Sequence, residues 1–61
     1  MFDYYRFIGS SLSQYLTIIE SQCEMAGYIL RILSEPDTSD EDHERITVIA
    51  EADVILDIYK G

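Results

Sequence analysis

Residues 34–40, Ser-Glu-Pro-Asp-Thr-Ser-Asp, form the one clear break in the apolar pattern of this 61-residue chain. Pro36 disfavours helical geometry at the residue before it, so a preceding helix is expected to end there. Thr38 followed by Glu41 fits a capping box, in which both side chains cap the start of a new helix, and Ser39 with Asp42 fits nearly as well. The segment therefore predicts a turn at about residues 35–38 between two helices.

Apolar residues on either side of this turn recur at steps of three and four, which is the spacing of one helical face. Before the turn they are Tyr5, Ile8, Leu12, Leu16, Ile19, Cys23, Ala26, Leu30 and Leu33, and after it Val48, Ile49, Ala52, Ile55, Leu56 and Tyr59. We therefore predict helix 1 at about residues 3–34 and helix 2 at about residues 39–59. The β-branched content of residues 46–58 also suits a strand, but the spacing there favours a helix.

Two helices joined by so short a connection are expected to lie antiparallel, as one domain over residues 1–61. The predicted fold is thus all-α, an antiparallel two-helix hairpin. A chain of this length buries only about 60% of its unfolded surface, so its stability alone is marginal. Cys23 is the only cysteine, which rules out a disulfide within the chain. We therefore expect the hairpin to form a homodimer, a four-helix bundle.

Helix 1 would carry a second apolar stripe, rotated by roughly 100° from the first, that its hairpin partner could not cover. A contiguous apolar patch on a surface usually marks an interaction site. The candidate interface residues on both helices are Tyr4, Phe7, Ile18, Met25, Tyr28, Ile29, Ile32, Val54 and Ile58. A second copy of the chain and a different protein both remain open as the occupant of this surface.

The charge of the chain restricts its partners. Twelve acidic and four basic residues give a net charge of −8. Binding to nucleic acid is not expected, because phosphate contacts require clusters of Lys and Arg. No apolar run approaches the roughly 20 residues that span a membrane, and no signal peptide is evident. With a single free thiol, the expected location is the cytoplasm.

No group of residues in the sequence forms a catalytic or metal-binding pattern. His43 is flanked by acidic neighbours that cannot face it on a helix. Cys23 falls on the main apolar face, where a cysteine is ordinarily a small buried hydrophobe. Structural zinc usually takes four ligands, and the acids near the turn lack the central glycine of an EF-hand. We therefore expect no enzymatic activity, cofactor, metal or small-molecule substrate.

Two resemblances bear on function. The layout resembles the Rop-type plasmid regulators, helical hairpins that dimerise into bundles, although RNA binding would require more basic residues. Residues 50–59 look like the end of the co-chaperones of type III secretion needle subunits, hairpins that hold an aggregation-prone helical protein. The first functional hypothesis is a small acidic regulatory or inhibitory binder of another protein, of phage or bacterial type. The alternative is an adaptor or co-chaperone for a larger helical partner.

Overall fold

The chain folds as one α-helix on a three-stranded mixed sheet, in a computed structural model that describes residues 3–36 and 44–61. In chain order the elements are a short 3-10 helix Tyr4–Phe7, helix α1 Leu12–Ala26, and strands β1 Ile29–Leu33, β2 Arg45–Glu51 and β3 Val54–Lys60. Strand β2 is central and pairs parallel with β1 and antiparallel with β3. This is an α+β fold, so the predicted all-α hairpin and four-helix bundle are wrong.

Helix α1 ends at Ala26 because the next residue, Gly27, has a φ of 80°. A side chain strongly disfavours this left-handed conformation, so glycine commonly follows the end of a helix. The Gly27 N–H donates to the Glu24 carbonyl at 3.2 Å, and the Tyr28 N–H donates to the Cys23 carbonyl at 2.8 Å. These two bonds form a Schellman motif. The chain leaves the helix there, so residues predicted to form its last two turns form β1.

Helix α1 begins late because the residues before it pair with the sheet. The Gly9 N–H donates to the Ile55 carbonyl at 2.7 Å, and the Ile55 N–H donates to the Ser10 carbonyl at 2.9 Å. Ser11 then caps the helix, and its hydroxyl accepts from the Gln14 N–H at 3.4 Å. The outer edge of β3 is therefore covered at its start by this segment.

Where the structure describes the predicted helix 2, it forms the β2–β3 hairpin instead. The residues predicted to cap that helix fall in 37–43 and lie outside the described residues. Ala52 and Asp53 form the two-residue turn, with φ values of 50° and 66°. Two positive φ values match the right-handed twist of a hairpin, as in a type I′ turn. The β-branched residues of 46–58 pack well in paired strands, and here this preference prevails.

A β-bulge in β3 explains why its apolar spacing looks helical. Ile49 pairs with Asp57 and Ala50 pairs with Ile55, which leaves Leu56 as an extra residue. Across this bulge Ile55 and Ile58 both point into the core, although they are three positions apart. Leu56, predicted to lie on the main apolar face, is instead exposed.

The hydrophobic core lies between α1 and one face of the sheet. Its buried residues are Phe7, Ile19, Cys23, Ile46, Val48, Ile55 and Ile58. The ring of Tyr15 packs at 5.4 Å from the ring of Phe7, so α1 and the 3-10 helix are joined over β3. In this arrangement β1 lies at one edge of the sheet.

Candidate functional site

Strand β1 has one edge paired with β2, and no strand of residues 3–36 and 44–61 lies along its other edge. The Ile29 N–H donates to the Glu44 carbonyl at 2.7 Å. Backbone groups alternate in direction along a strand, so Leu30 and Ile32 direct their N–H and C=O groups away from β2. Such a row of backbone groups can pair with another extended chain.

The side chains of β1 leave this edge apolar. Four of its five residues are aliphatic, and Ile29 and Ile32 are 61% and 41% exposed. The charged residue of the strand, Arg31, donates from Nε to the Thr47 hydroxyl at 3.1 Å, towards β2. Proteins usually protect an edge strand with outward charges, proline or a bulge. Strand β1 contains neither proline nor bulge, so it has the properties of a strand that accepts a partner.

Helix α1 carries two exposed carboxylates on the flank that its spacing turns towards β1. Ile19 faces the core, and Tyr15 is turned towards the 3-10 helix, where its ring meets Phe7 beside β3. At 100° per residue, Glu20 and Glu24 lie on the opposite flank of the helix from Tyr15. Because Tyr15 is turned towards β3, that flank faces β1, and the end of α1 leads into the start of β1. Both glutamates are exposed.

Further carboxylates lie at the two ends of β1. Glu35 follows the strand by two residues and is exposed. Glu44 is exposed at the other end, where its carbonyl binds the first residue of β1. Glu35 therefore joins Glu20 and Glu24 among the exposed carboxylates on the β1 side of the fold. We call β1 with Glu20, Glu24 and Glu35 the acidic edge.

Two of the basic residues are held within the fold, on the face of the sheet away from α1. The Arg45 Nε and the Thr47 hydroxyl both donate to the Gly61 carbonyl oxygen, at 3.3 and 2.6 Å. The Gly61 N–H donates to the Arg45 carbonyl at 2.7 Å. Arg31 reaches the same cluster through Thr47. These bonds hold residue 61 against β2.

The interface residues predicted from the sequence fall into three groups. Ile18, Met25, Ile29, Ile32 and Val54 are exposed, Tyr4 and Tyr28 are half-buried, and Phe7 and Ile58 lie in the core. The fold brings two of them, Ile29 and Ile32, together on β1, whereas Val54 begins β3 across the sheet. The predicted set does not contain the glutamates of the acidic edge. The signal for the edge was the mainly aliphatic stretch Ile29–Leu33, which begins two residues after Gly27.

Two groups away from the acidic edge, Cys23 and Asp53, have shifted pKa values and structural roles. Burial raises the pKa of the Cys23 thiol, so the thiolate that would act as a nucleophile is disfavoured. Hydrogen bonds lower the pKa of Asp53, first from the Ser11 hydroxyl and then from Ser13. Ser13 donates to this carboxylate from its N–H at 2.8 Å and from its hydroxyl at 2.9 Å. Asp53 thereby ties the β2–β3 turn to the first turn of α1.

The described residues contain no group of three or more His, Cys, Asp or Glu side chains that could hold a metal ion. Their one α-helix is too short and too polar to cross a membrane. His43 lies outside the described residues. No protein-family model, curated protein or solved structure matches this chain. The acidic edge must therefore be interpreted from its own geometry and chemistry.

Proposed function

We propose that this chain is a non-enzymatic, acidic binding module that regulates or inhibits another protein by pairing with an extended segment of it. The observation that carries the proposal is the outer edge of β1, along which no strand of the described residues lies, with its exposed aliphatic side chains and outward backbone groups. In strand addition, main-chain hydrogen bonds supply affinity and the flanking side chains supply specificity. A small sheet with one open edge is suited to this mode of binding.

The alternative function, a co-chaperone for a helical partner, depended on a two-helix hairpin and lost its basis with that fold. Self-association stays a competing use of the same edge. It would bring two chains of net charge −8 together, with the glutamates of both helices beside the shared edge. Like charges disfavour that contact, so we propose a different protein as the partner. We keep the cytoplasm as the proposed location, since the buried free thiol of Cys23 suits a reducing compartment.

The test is selection of peptides from a random display library on the immobilised full chain, followed by titration of isotope-labelled chain with the selected peptides. We expect the amide signals of β1 to move most. Ile32→Pro should abolish binding, since it removes an outward N–H, and proline is tolerated on the open side of edge strands. An unchanged circular dichroism spectrum would confirm that this variant folds.

Leu56→Ala, which alters another exposed aliphatic side chain, on β3, is the control and should leave binding intact. If the selected peptides instead move the signals of α1 or β3, or if Ile32→Pro binds them as well as the parent chain does, the edge is not the binding site and the proposal fails.

A further inference from the structure

We infer that the segment that pairs with β1 is basic, with Lys or Arg at alternate positions. This inference depends on the proposed function and specifies the chemistry of the partner. It follows from the placement of charges around β1, combined with the geometry of an added strand.

An added strand would lie about 4.8 Å from β1, with its side chains alternating between the two faces of the sheet. On the α1 face, its side chains would point towards the flank that carries Glu20 and Glu24. The long stems of Lys or Arg could pack along Ile32, which faces the same side as the buried Val48, while their charged ends reach the carboxylates.

On the opposite face, the neighbours of an added strand are different. Ile29 and Leu33 pair with Arg45 and Ile49 there, and Arg31 lies between them. Aliphatic side chains suit this face, because they would pack on Ile29 and Leu33. The partner is thus expected to alternate basic and aliphatic residues.

The net charge of the chain supports the same partner. A charge of −8 raises the association rate of a basic segment and lowers that of an acidic one. It also opposes the pairing of two copies of β1, in which the Glu20 and Glu24 side chains of one copy would lie beside those of the other. A basic partner is the occupant that these charges favour.

The experiment uses isotope-labelled full-length chain and three synthetic peptides that alternate valine with lysine, serine or glutamate. We expect the lysine peptide to bind at β1 about tenfold more tightly than the serine peptide, given the usual strength of several exposed ion pairs. The glutamate peptide should bind most weakly. The preference for lysine should shrink at high salt, because exposed charges are screened.

The double variant Glu20→Lys/Glu24→Lys should lose the preference for lysine, which corresponds to a decrease of about tenfold in affinity. The matched control is Asp3→Lys/Glu51→Lys, which changes the net charge equally at exposed positions away from β1. The control should keep most of the preference. Equal loss in both variants would show a general effect of net charge and overturn the assignment to the acidic edge.

Other outcomes separate this inference from the proposed function. If all three peptides bind β1 equally, the edge accepts strands but the basic partner is wrong. If β1 signals are lost with rising protein concentration in the absence of peptide, a second copy occupies the edge and the inference fails. If library-selected peptides bind β1 without basic residues, the function stands and the inference fails.

Discussion

Ile58 and Leu56 of β3 provide a direct test of the β-bulge. The two residues are two positions apart, yet Ile58 is fully buried and Leu56 is 50% exposed. In the helical hairpin expected from the sequence their roles would be reversed, since Leu56 lies on the main stripe and Ile58 outside it. We predict that Ile58→Ala destabilises the fold far more than Leu56→Ala does.

The size of the difference follows from burial. Each substitution removes three carbon atoms, and a buried methylene contributes about 0.8 kcal/mol to the free energy of unfolding. For Ile58 this gives about 2.4 kcal/mol, and the cavity left in the core raises the expected cost to about 3–4 kcal/mol. Leu56 is half exposed and its neighbours can relax, so the expected cost is at most about 1 kcal/mol.

The assay is urea unfolding followed by circular dichroism, with the free energy of unfolding taken by linear extrapolation. A domain of this length has a total stability of about 3–9 kcal/mol, so Ile58→Ala removes a large share of it. If that variant does not fold, Ile58→Val should still fold, with a loss of about 0.5–1.5 kcal/mol. In that case Leu56→Val, which should cost less, becomes the comparison.

One result would refute this reasoning. A Leu56→Ala variant at least as destabilised as Ile58→Ala would mean that Leu56 lies in the core. The register of β3 against β2 would then be wrong, and the bulge with it.

Two further predictions concern titratable groups outside the acidic edge. The pKa of Asp53 is lower in the folded chain than its ordinary 3.8, so its ionised form favours folding, and this contribution is lost as the pH falls through the folded pKa. The difference in urea midpoint between the parent chain and Asp53→Asn should therefore be largest above pH 3.8 and disappear in acid, and a difference that persists in acid would contradict it. Cys23 is buried, and its raised pKa disfavours the thiolate, so a thiol reagent should react at least about tenfold faster with the urea-unfolded chain. Equal rates in the two states would show that the thiol is accessible.

The parts of the fold that the sequence predicted are those where local spacing and packing agree. Ile19 and Cys23 lie on the predicted apolar face and are buried, and α1 lies inside the predicted helix 1. Each of these features depends on interactions within a few residues, so the local pattern was sufficient.

The parts that were wrong depend on pairing between distant residues. Gly27 lies inside the predicted helix 1, yet its positive φ ends the helix, as glycine commonly does in this position. The turn at Ala52 and Asp53 lacks the glycine or asparagine that usually marks a two-residue hairpin. Its Asp53 is held by bonds to Ser11 and Ser13, some forty residues earlier in the chain. No local pattern contains that information.

The spacing of apolar residues in β3 was wrongly interpreted as helical for a related reason. A bulge adds one residue to a strand, so two inward side chains can be three positions apart, which is also the spacing of a helical face. Only the pairing of β3 with β2 shows that Ile55 and Ile58 are separated by a bulge rather than by a helical turn. The acidic edge was missed with it, because its geometry exists only once the strands are paired.

The charge of the chain and its open edge are connected in this interpretation. An aliphatic edge strand in a small protein is a risk, since copies can pair with one another. Placing the protective charge on Glu20 and Glu24 of the neighbouring helix, rather than on the strand, leaves β1 able to bind. The same carboxylates would repel a second copy and attract a basic segment, so a single feature opposes the wrong partner and favours the right one. Neutralising both side chains, as Glu20→Gln/Glu24→Gln, should accordingly have two effects together, weaker binding of the lysine peptide and stronger self-association, because charge reversal would only replace one like-charge contact with another. Self-association can be measured by sedimentation without any ligand. If the double variant associates no more than the parent chain at the same protein concentrations, these charges do not protect the edge from a second copy.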